Sequence, residues 1–286
     1  MKAVDYIDNK CLFVLGKGNP GEGKSIGVSS WLELGPMYFF DFDGKIKAII
    51  NYWKKYNPKL LDNLEFDHFD DYNKAAEKLM GFIESGHPYT GGIAIDTLTT
   101  GVDSILNQIH DLKGGSKKVV GGIAVSEIED YNAESSALTR LVQNAKFKLH
   151  KNLNTNFFLL AHVVAVESHD LKSNSKVVNR QLLTAGKKVA AKLPGYFDEI
   201  WHFYTESPLD GSKGQRYKVT TQATGVDFAR TSCNLPVVFD VTYPGKTLYQ
   251  QVRAELNVTP LGQPKTEASA LNGASNKALI DKLTAK

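Results

Sequence analysis

The sequence predicts an α/β fold with a mostly parallel central sheet covered by helices, and three observations support this. Short apolar runs alternate with stretches of helical spacing along most of the chain. The segment Gly18-Asn19-Pro20-Gly21-Glu22-Gly23-Lys24-Ser25 fits the template G-x-x-x-x-G-K-[ST] at every fixed position and follows the apolar run Cys11 to Leu15. Two later apolar runs end in polar side chains, Gly92 to Asp96 and Asn156 to His162. In a parallel sheet such strand ends line the crevice where ligands sit.

The elements follow in order. Lys24 to Leu34 reads as a helix stopped by Gly35-Pro36, and Met37 to Phe42 as a buried strand that delivers Asp41 and Asp43 to the sheet's edge. Ile46, Ile49, Ile50 and Trp53 have helical spacing, with Trp53 a packing residue. Leu64 to His68 reads as a short strand, Tyr72 to Glu84 as an amphipathic helix broken at Gly86-His87-Pro88, and Thr97 to Leu112 as the helix after the Asp96 strand. The glycine- and lysine-bearing segment Lys113 to Gly122 predicts a projecting loop, followed by a helix from Asp130 to His150. From Val163 to Lys192 the chain turns polar, with six basic side chains against two acidic ones, and is expected to form a second basic loop with a short helix near its end. Glu199 to Tyr204 and Arg216 to Thr221 read as strands around a turn at Asp210-Gly211, an antiparallel C-terminal extension of the sheet, and the core closes around Leu235 to Thr242.

A chain of 286 residues, 42% of them hydrophobic, suits one large domain plus a tail. We divide it into a core of residues 1–245 and a C-terminal segment of 246–286, a flexible tail with a short terminal helix. From Asn257 onward Pro, Gly, Asn, Ser, Thr and Ala prevail without one aromatic residue, which is linker composition. A net charge of +3 is too small to draw a polyanion by itself, so local basic patches must do so. Cys11 and Cys233 show no metal-ligand spacing, which suits a reduced, cytoplasmic protein. Met1 to Lys10 has no apolar signal region, and no apolar run reaches the length of a membrane span.

The glycine-rich segment points to nucleotide chemistry. Its glycines let backbone N–H groups wrap an anion, Lys24 reaches the terminal phosphates, and Ser25 offers a hydroxyl to Mg²⁺. Asp96, at the end of a strand, is the natural second ligand of that ion. Residues 18 to 25 with Asp96 therefore predict a site for ATP and Mg²⁺.

Four features in this order, the phosphate loop, Asp43 just after the second strand, the strand ending in Asp96 and the strand ending in His162, resemble the RecA-like P-loop ATPases. Over about residues 9 to 245 the chain is most similar to the RecA-like ATPases of bacteriophages, a group that includes single-strand annealing recombination proteins; Gly186 to Glu199 looks like their late region. The resemblance implies that Asp43 positions the attacking water, with Asp41 as fallback, and that His162 senses the γ-phosphate. Many family members have glutamate where Asp43 stands. It also implies that Lys188, with Lys187 as runner-up, or Arg230 reaches a neighbouring subunit's nucleotide, so the chain would form a homo-oligomer, a ring or a filament. The family's DNA-contacting loops fall on the two basic segments, Lys117 and Lys118 in the first and Lys172, Lys176 and Arg180 in the second, which implies sequence-tolerant binding of single-stranded DNA.

The expectation is thus a DNA-dependent ATPase of phage recombination or replication in the cytoplasm of a bacterial host, with a possible protein partner for the tail and no membrane partner. A hexameric translocase or helicase is the first alternative. A non-motor DNA scaffold with negligible hydrolysis is the second, favoured by the short Asp43 side chain. A small-molecule kinase fits least, since the late segment has only Arg180 among its lysines where such enzymes carry an arginine-bearing lid.

Overall fold

The computed structural model describes residues 11–112, 119–120, 123–124, 126–170, 175–184, 187–207, 214–223 and 228–256. The elements run β1 (Phe13–Lys17), α1 (Lys24–Ser29), β2 (Met37–Asp41), α2 (Lys47–Tyr56), β3 (Leu64–His68), α3 (Tyr72–Ser85), β4 (Gly92–Asp96) and α4 (Leu98–Leu112). They continue with β5 (Val119–Val120), β6 (Ile123–Ala124), α5 (Ile128–Asn144), β7 (Phe157–Ala161), β8 (Val163–Asp170), β9 (Ser175–Leu182), α6 (Lys187–Lys192), β10 (Glu199–Glu206), β11 (Arg216–Thr220), β12 (Val238–Asp240) and α7 (Leu248–Leu256).

Eight strands form one sheet in the order β12-β11-β10-β1-β7-β4-β2-β3. Neighbours from β10 to β3 are parallel, whereas β11 and β12 are antiparallel, so the predicted mostly parallel sheet with an antiparallel C-terminal side is the architecture observed. The strands β1, β2, β4 and β7 are buried along their whole length. This follows from apolar side chains on both faces, as a sheet covered by helices on both sides demands.

Alternate residues feed two cores. Phe13, Leu15, Tyr38, Phe40, Ile95 and Leu159 face α3, α4, α5 and α6, while Val14, Met37, Phe39, Phe158, Trp201 and Phe203 face α1, α2 and α7. Stacked rings of Phe13, Phe157 and Phe197 join β1, β7 and the turn before β10 in the first core, with centroids 5.1 and 4.7 Å from Phe13. Each such side chain, fully removed from water, contributes about 1.5–3 kcal/mol. Trp53 is a packing residue as predicted, buried and donating from Nε1 to Ser29 Oγ at 2.8 Å.

Three segments differ from the expectations. The helix beginning at Lys24 ends at Ser29 and tightens into a 3₁₀ turn over Ser30–Glu33. The long helix after the first basic segment widens into a π-helical stretch over Ala145–Asn152. The second basic segment, expected as a loop, is an antiparallel hairpin of β8 and β9, paired from Val163↔Leu182 to Asp170↔Ser175. Val163, Val164 and Val166 on one arm and Val177 and Val178 on the other are β-branched and suit a pleated surface, and they outweigh the polar composition. The helix α7 is opened by a capping box, Thr247 N–H donating to Gln250 Oε1 and Gln250 N–H to Thr247 Oγ1, both at 3.3 Å, and it seats Leu248 and Val252 in the second core.

Candidate functional site

The carboxyl ends of β1, β7, β4 and β2 lie side by side in the sheet, so whatever follows these strands converges on one edge. The loop after β1 runs from Gly18 to Gly23 into α1. Its shape requires glycine at three points, one of them Gly21, whose φ is 83°. A Cβ on Gly18 would lie 2.5 Å from Phe203 O, and Gly23 has φ of 81°, where a Cβ would also press 3.0 Å from the Tyr217 ring. The apex is braced by Glu22, which accepts from Asn19 N–H and, at 2.8 Å, from Asn19 Nδ2, holding Pro20 and Gly21 between them.

Lys24 is buried and curls back over the loop, donating from Nζ to Gly18 O at 3.0 Å and Asn19 O at 2.8 Å. Burial pushes its pKa down to about 8, against the pull of Asp96, Glu22 and Asp43. A third contact runs from Lys24 Nζ to His162 Nδ1 at 3.2 Å. With Nδ1 accepting, the ring turns Nε2 toward Asp43 Oδ2, 3.6 Å away. Lys24, His162 and Asp43 thus form a chain of contacts across the site.

Ser25 Oγ donates to Asp96 Oδ2 at 2.5 Å. Burial pushes the Asp96 carboxyl up to about 6; the Ser25 hydrogen bond and the Lys24 charge oppose the rise, and Asp43 adds to it. A hydroxyl and a buried carboxylate in contact are the hard oxygen donors that suit Mg²⁺, and a cation there would remove the cost of burying that carboxylate's charge. Among the described residues no cluster of three or more His, Cys, Asp or Glu could hold a metal by itself.

Asp41 and Asp43 have different surroundings. Asp41 accepts from the backbone N–H groups of Lys45 and Ile46 at 3.1 and 3.2 Å and pairs with His68 Nδ1 at 2.8 Å, so it secures the start of α2. Asp43 faces the site. Its carboxylate accepts from Thr97 Oγ1 at 3.1 Å, from Thr100 Oγ1 and from Lys45 Nζ at 3.1 Å. Burial alone would raise the Asp43 pKa; hydrogen bonds from His162, Thr100 and Lys45 outweigh it and hold the carboxyl well below the usual carboxylate range.

Thr97, Thr99, Thr100 and Lys45 belong to none of the motifs in the sequence. Thr99 Oγ1 accepts from the His162 backbone N–H at 3.2 Å, so three threonines after Asp96 hold both Asp43 and His162. Their signal in the sequence was a run of hydroxyl residues directly after a strand-terminal aspartate.

The remaining predicted site residues lie apart from this cluster or outside the described residues. Arg230 bridges backbone to backbone with Ile200, and its guanidinium donates to Phe197 O and, at 3.3 Å, to Pro194 O. Those carbonyls precede β10, at the amino edge of the parallel strands, away from the chain's own phosphate loop. Lys188 belongs to α6 and Lys176 to β9, with side chains outside the described set; Lys117, Lys118 and Lys172 lie outside the described residues altogether. Arg180, on β9, donates from Nη1 to His202 Nε2 at 3.3 Å, and His202 pairs in register with Lys17 at the end of β1. The root of the hairpin is therefore beside the phosphate loop. No helix among the described residues is long and apolar enough to cross a membrane.

No protein-family model matches the chain, and no curated protein is detectably similar to it in sequence. Among solved structures it is similar to the RadB recombinase, at 10% identity over 73% of this chain and 79% of that one, with a TM-score of 0.41. It is also similar to a prototypical ATPase from the type III secretion system of pathogenic bacteria, at 12% identity over 68% of this chain and 52% of that one, with a TM-score of 0.36. The chain thus spans about half the length of the second protein.

Proposed function

We propose that this chain is a RecA-like P-loop ATPase that binds ATP and Mg²⁺, assembles with copies of itself, and uses the nucleotide to control its hold on single-stranded DNA in phage-type recombination or replication. The observation that supports it most is the convergence of Lys24, Ser25, Asp96, His162 and Asp43 on one sheet edge from behind four neighbouring parallel strands. Phosphoryl transfer asks for little covalent chemistry from a protein, so positioned charge and hydrogen bonds are what such a site must supply.

Ser25 and Asp96 would hold Mg²⁺, which bridges phosphate oxygens and offsets charge on the transferring group. Lys24 now satisfies its ammonium on Gly18 O, Asn19 O and His162; a terminal phosphate offers it a charged acceptor instead. His162 loses or retains its Lys24 contact according to what fills the loop. Because β8 starts at Val163, the next residue, any rotation of His162 is transmitted to the hairpin that bears Lys176 and Arg180. The basic side chains of this segment suit phosphate contacts that do not read sequence. Lys188 and Arg230 are the candidates for contact with a neighbouring subunit's nucleotide.

Steady-state ATP hydrolysis with and without single-stranded DNA, over a range of salt and protein concentrations, tests this reading. Stimulation by DNA that falls with salt and rises steeply with protein concentration supports an assembling ATPase. One observation favours a second reading, a nucleotide-binding scaffold that hardly hydrolyses. Asp43 is held well below the ordinary carboxylate range by three hydroxyl and ammonium donors and the nearby imidazole, which makes it a weak proton acceptor. Binding of ATP without turnover, DNA present or not, selects that reading; no binding of ATP refutes both.

A further inference from the structure

Lys45 stands two residues beyond Asp43, and its side chain ends at the site. The backbone there is fixed. Gly44 turns the chain with φ of 66°, and Asp41 Oδ1 accepts from the Lys45 N–H at 3.1 Å just before α2 begins. The side chain is tied down far less. It is 67% exposed, and among the described residues its ammonium meets only Asp43 Oδ2, at 3.1 Å.

That carboxylate oxygen is shared. His162 Nε2 lies 3.6 Å from it, and His162 Nδ1 lies 3.2 Å from Lys24 Nζ. Two ammonium groups thus stand at the two ends of one chain of contacts, with an imidazole and a carboxylate between them. Burial and, more weakly, the charge of Lys45 lower the Lys24 pKa, so the two cations lie within Coulombic reach of each other. An exposed lysine on a carboxylate is weakly held and readily changes partner. A terminal phosphate carries more negative charge than one carboxylate and offers more acceptor oxygens.

We propose that Lys45 is a second cation for the γ-phosphate, supplied by the same subunit, and that it leaves Asp43 for that phosphate when ATP binds. The inference rests on the phosphate-loop reading above. Asp43 Oδ2 then loses its ammonium donor and can accept a hydrogen bond from water, while Thr97 and Thr100 still hold Oδ1. The carboxylate becomes a better proton acceptor only once the substrate is in place. Because its backbone is anchored by Asp41, Lys45 makes this exchange by side-chain rotation alone.

The test is equilibrium titration of the full chain, with Mg²⁺ present, by ADP and by the ATP analogue with an imido group between its β and γ phosphorus atoms. Wild type, Lys45→Met and Lys45→Arg are compared. Only the analogue carries the phosphate that Lys45 is argued to meet. Lys45→Met should lower affinity for the analogue by about 10- to 100-fold, the loss expected for one charge-assisted hydrogen bond. Its affinity for ADP should stay within about twofold of wild type, since a more distant exposed charge is screened. Lys45→Arg should keep most of the preference for the analogue. Equal losses for ADP and analogue, or no loss for either, would overturn the contact and leave the phosphate loop standing. Slower turnover of ATP with the ratio of the two affinities unchanged would make Lys45 a support for Asp43 alone, and would overturn it too. Failure of wild type to bind either nucleotide would remove the phosphate-loop reading, and this inference with it.

Discussion

Replacing Lys24 by methionine separates nucleotide binding from folding. Lys24 is 5% exposed, and burial pushes its pKa from 10.5 down to about 8. Since the folded value lies below the unfolded one, charge on Lys24 opposes folding at every pH below about 8, and this cost fades as pH rises toward 10.5. At neutral pH it is on the order of 3 kcal/mol. Methionine is of similar length and uncharged, so Lys24→Met removes that cost and also three hydrogen bonds, to Gly18 O, Asn19 O and His162 Nδ1. At the lower end for bonds from a charged donor, about 1.5 kcal/mol each, their loss outweighs the relief by about 1–2 kcal/mol. The expected unfolding free energy of the nucleotide-free variant is about 1–2 kcal/mol below wild type, while its affinity for Mg²⁺-ATP falls at least about a hundredfold through loss of charge-assisted bonds to phosphate. Urea denaturation can be followed by the buried Trp31, Trp53 and Trp201, and ATP titrated into the folded baseline. Unchanged ATP affinity would refute Lys24 as a phosphate ligand, and a stability loss above about 3 kcal/mol would show the ammonium to be a structural strut.

Three further outcomes are expected. Glu199 is fully buried, its Oε1 accepting from Thr231 Oγ1, Ser232 N–H, Ser232 Oγ and Cys233 N–H and its Oε2 from Trp201 Nε1. In Glu199→Gln an amide donor must face one of these donors, which should cost about 1–3 kcal/mol in urea unfolding with ATP affinity unaltered; an unchanged midpoint would count against it. His150 is buried with Nδ1 bonded to Thr155 O at 3.0 Å, and burial lowers its pKa. Its folded value lies below its unfolded one, so stability should fall as pH drops below the unfolded value near 6.5, and His150→Gln should flatten the pH dependence of unfolding between about pH 7 and 5; an identical slope places the acid sensitivity elsewhere. Substituting alanine for Lys172 and Lys176 together should weaken single-stranded DNA binding and reduce its logarithmic salt slope by about 1.4, and an unaltered slope removes this segment from the DNA site.

Local signals were reliable in this chain where a short stretch forms an element from its own residues. The template from Gly18 to Ser25 announced a tight turn from strand into helix because its glycines and its lysine act within one turn of backbone. Continuous apolar runs such as Phe157 to Ala161 announced buried parallel strands. Reading failed where one local signal competed with another. The segment from Val163 looked like a loop by charge, yet its valines pair as a hairpin, because cross-strand packing is a relation between two arms and composition averages it away.

By itself, the sequence determined the glycine-rich turn from Gly18 to Gly23, the strands that deliver Asp96 and His162, and the mostly parallel sheet. Each of these depends on neighbours along the chain. Only the tertiary structure decided that β7 lies between β1 and β4, which places His162 within reach of both Lys24 and Asp43. It alone turned Asp41 to the start of α2 and Asp43 to the site, though the two are separated by a single residue. It also gathered Tyr52, Tyr56, Tyr217 and Tyr243 around the end of the phosphate loop from segments far apart in the chain. Strand order and cavity walls arise from packing between remote segments, where burial of the whole sheet sets the arrangement and no local pattern encodes it.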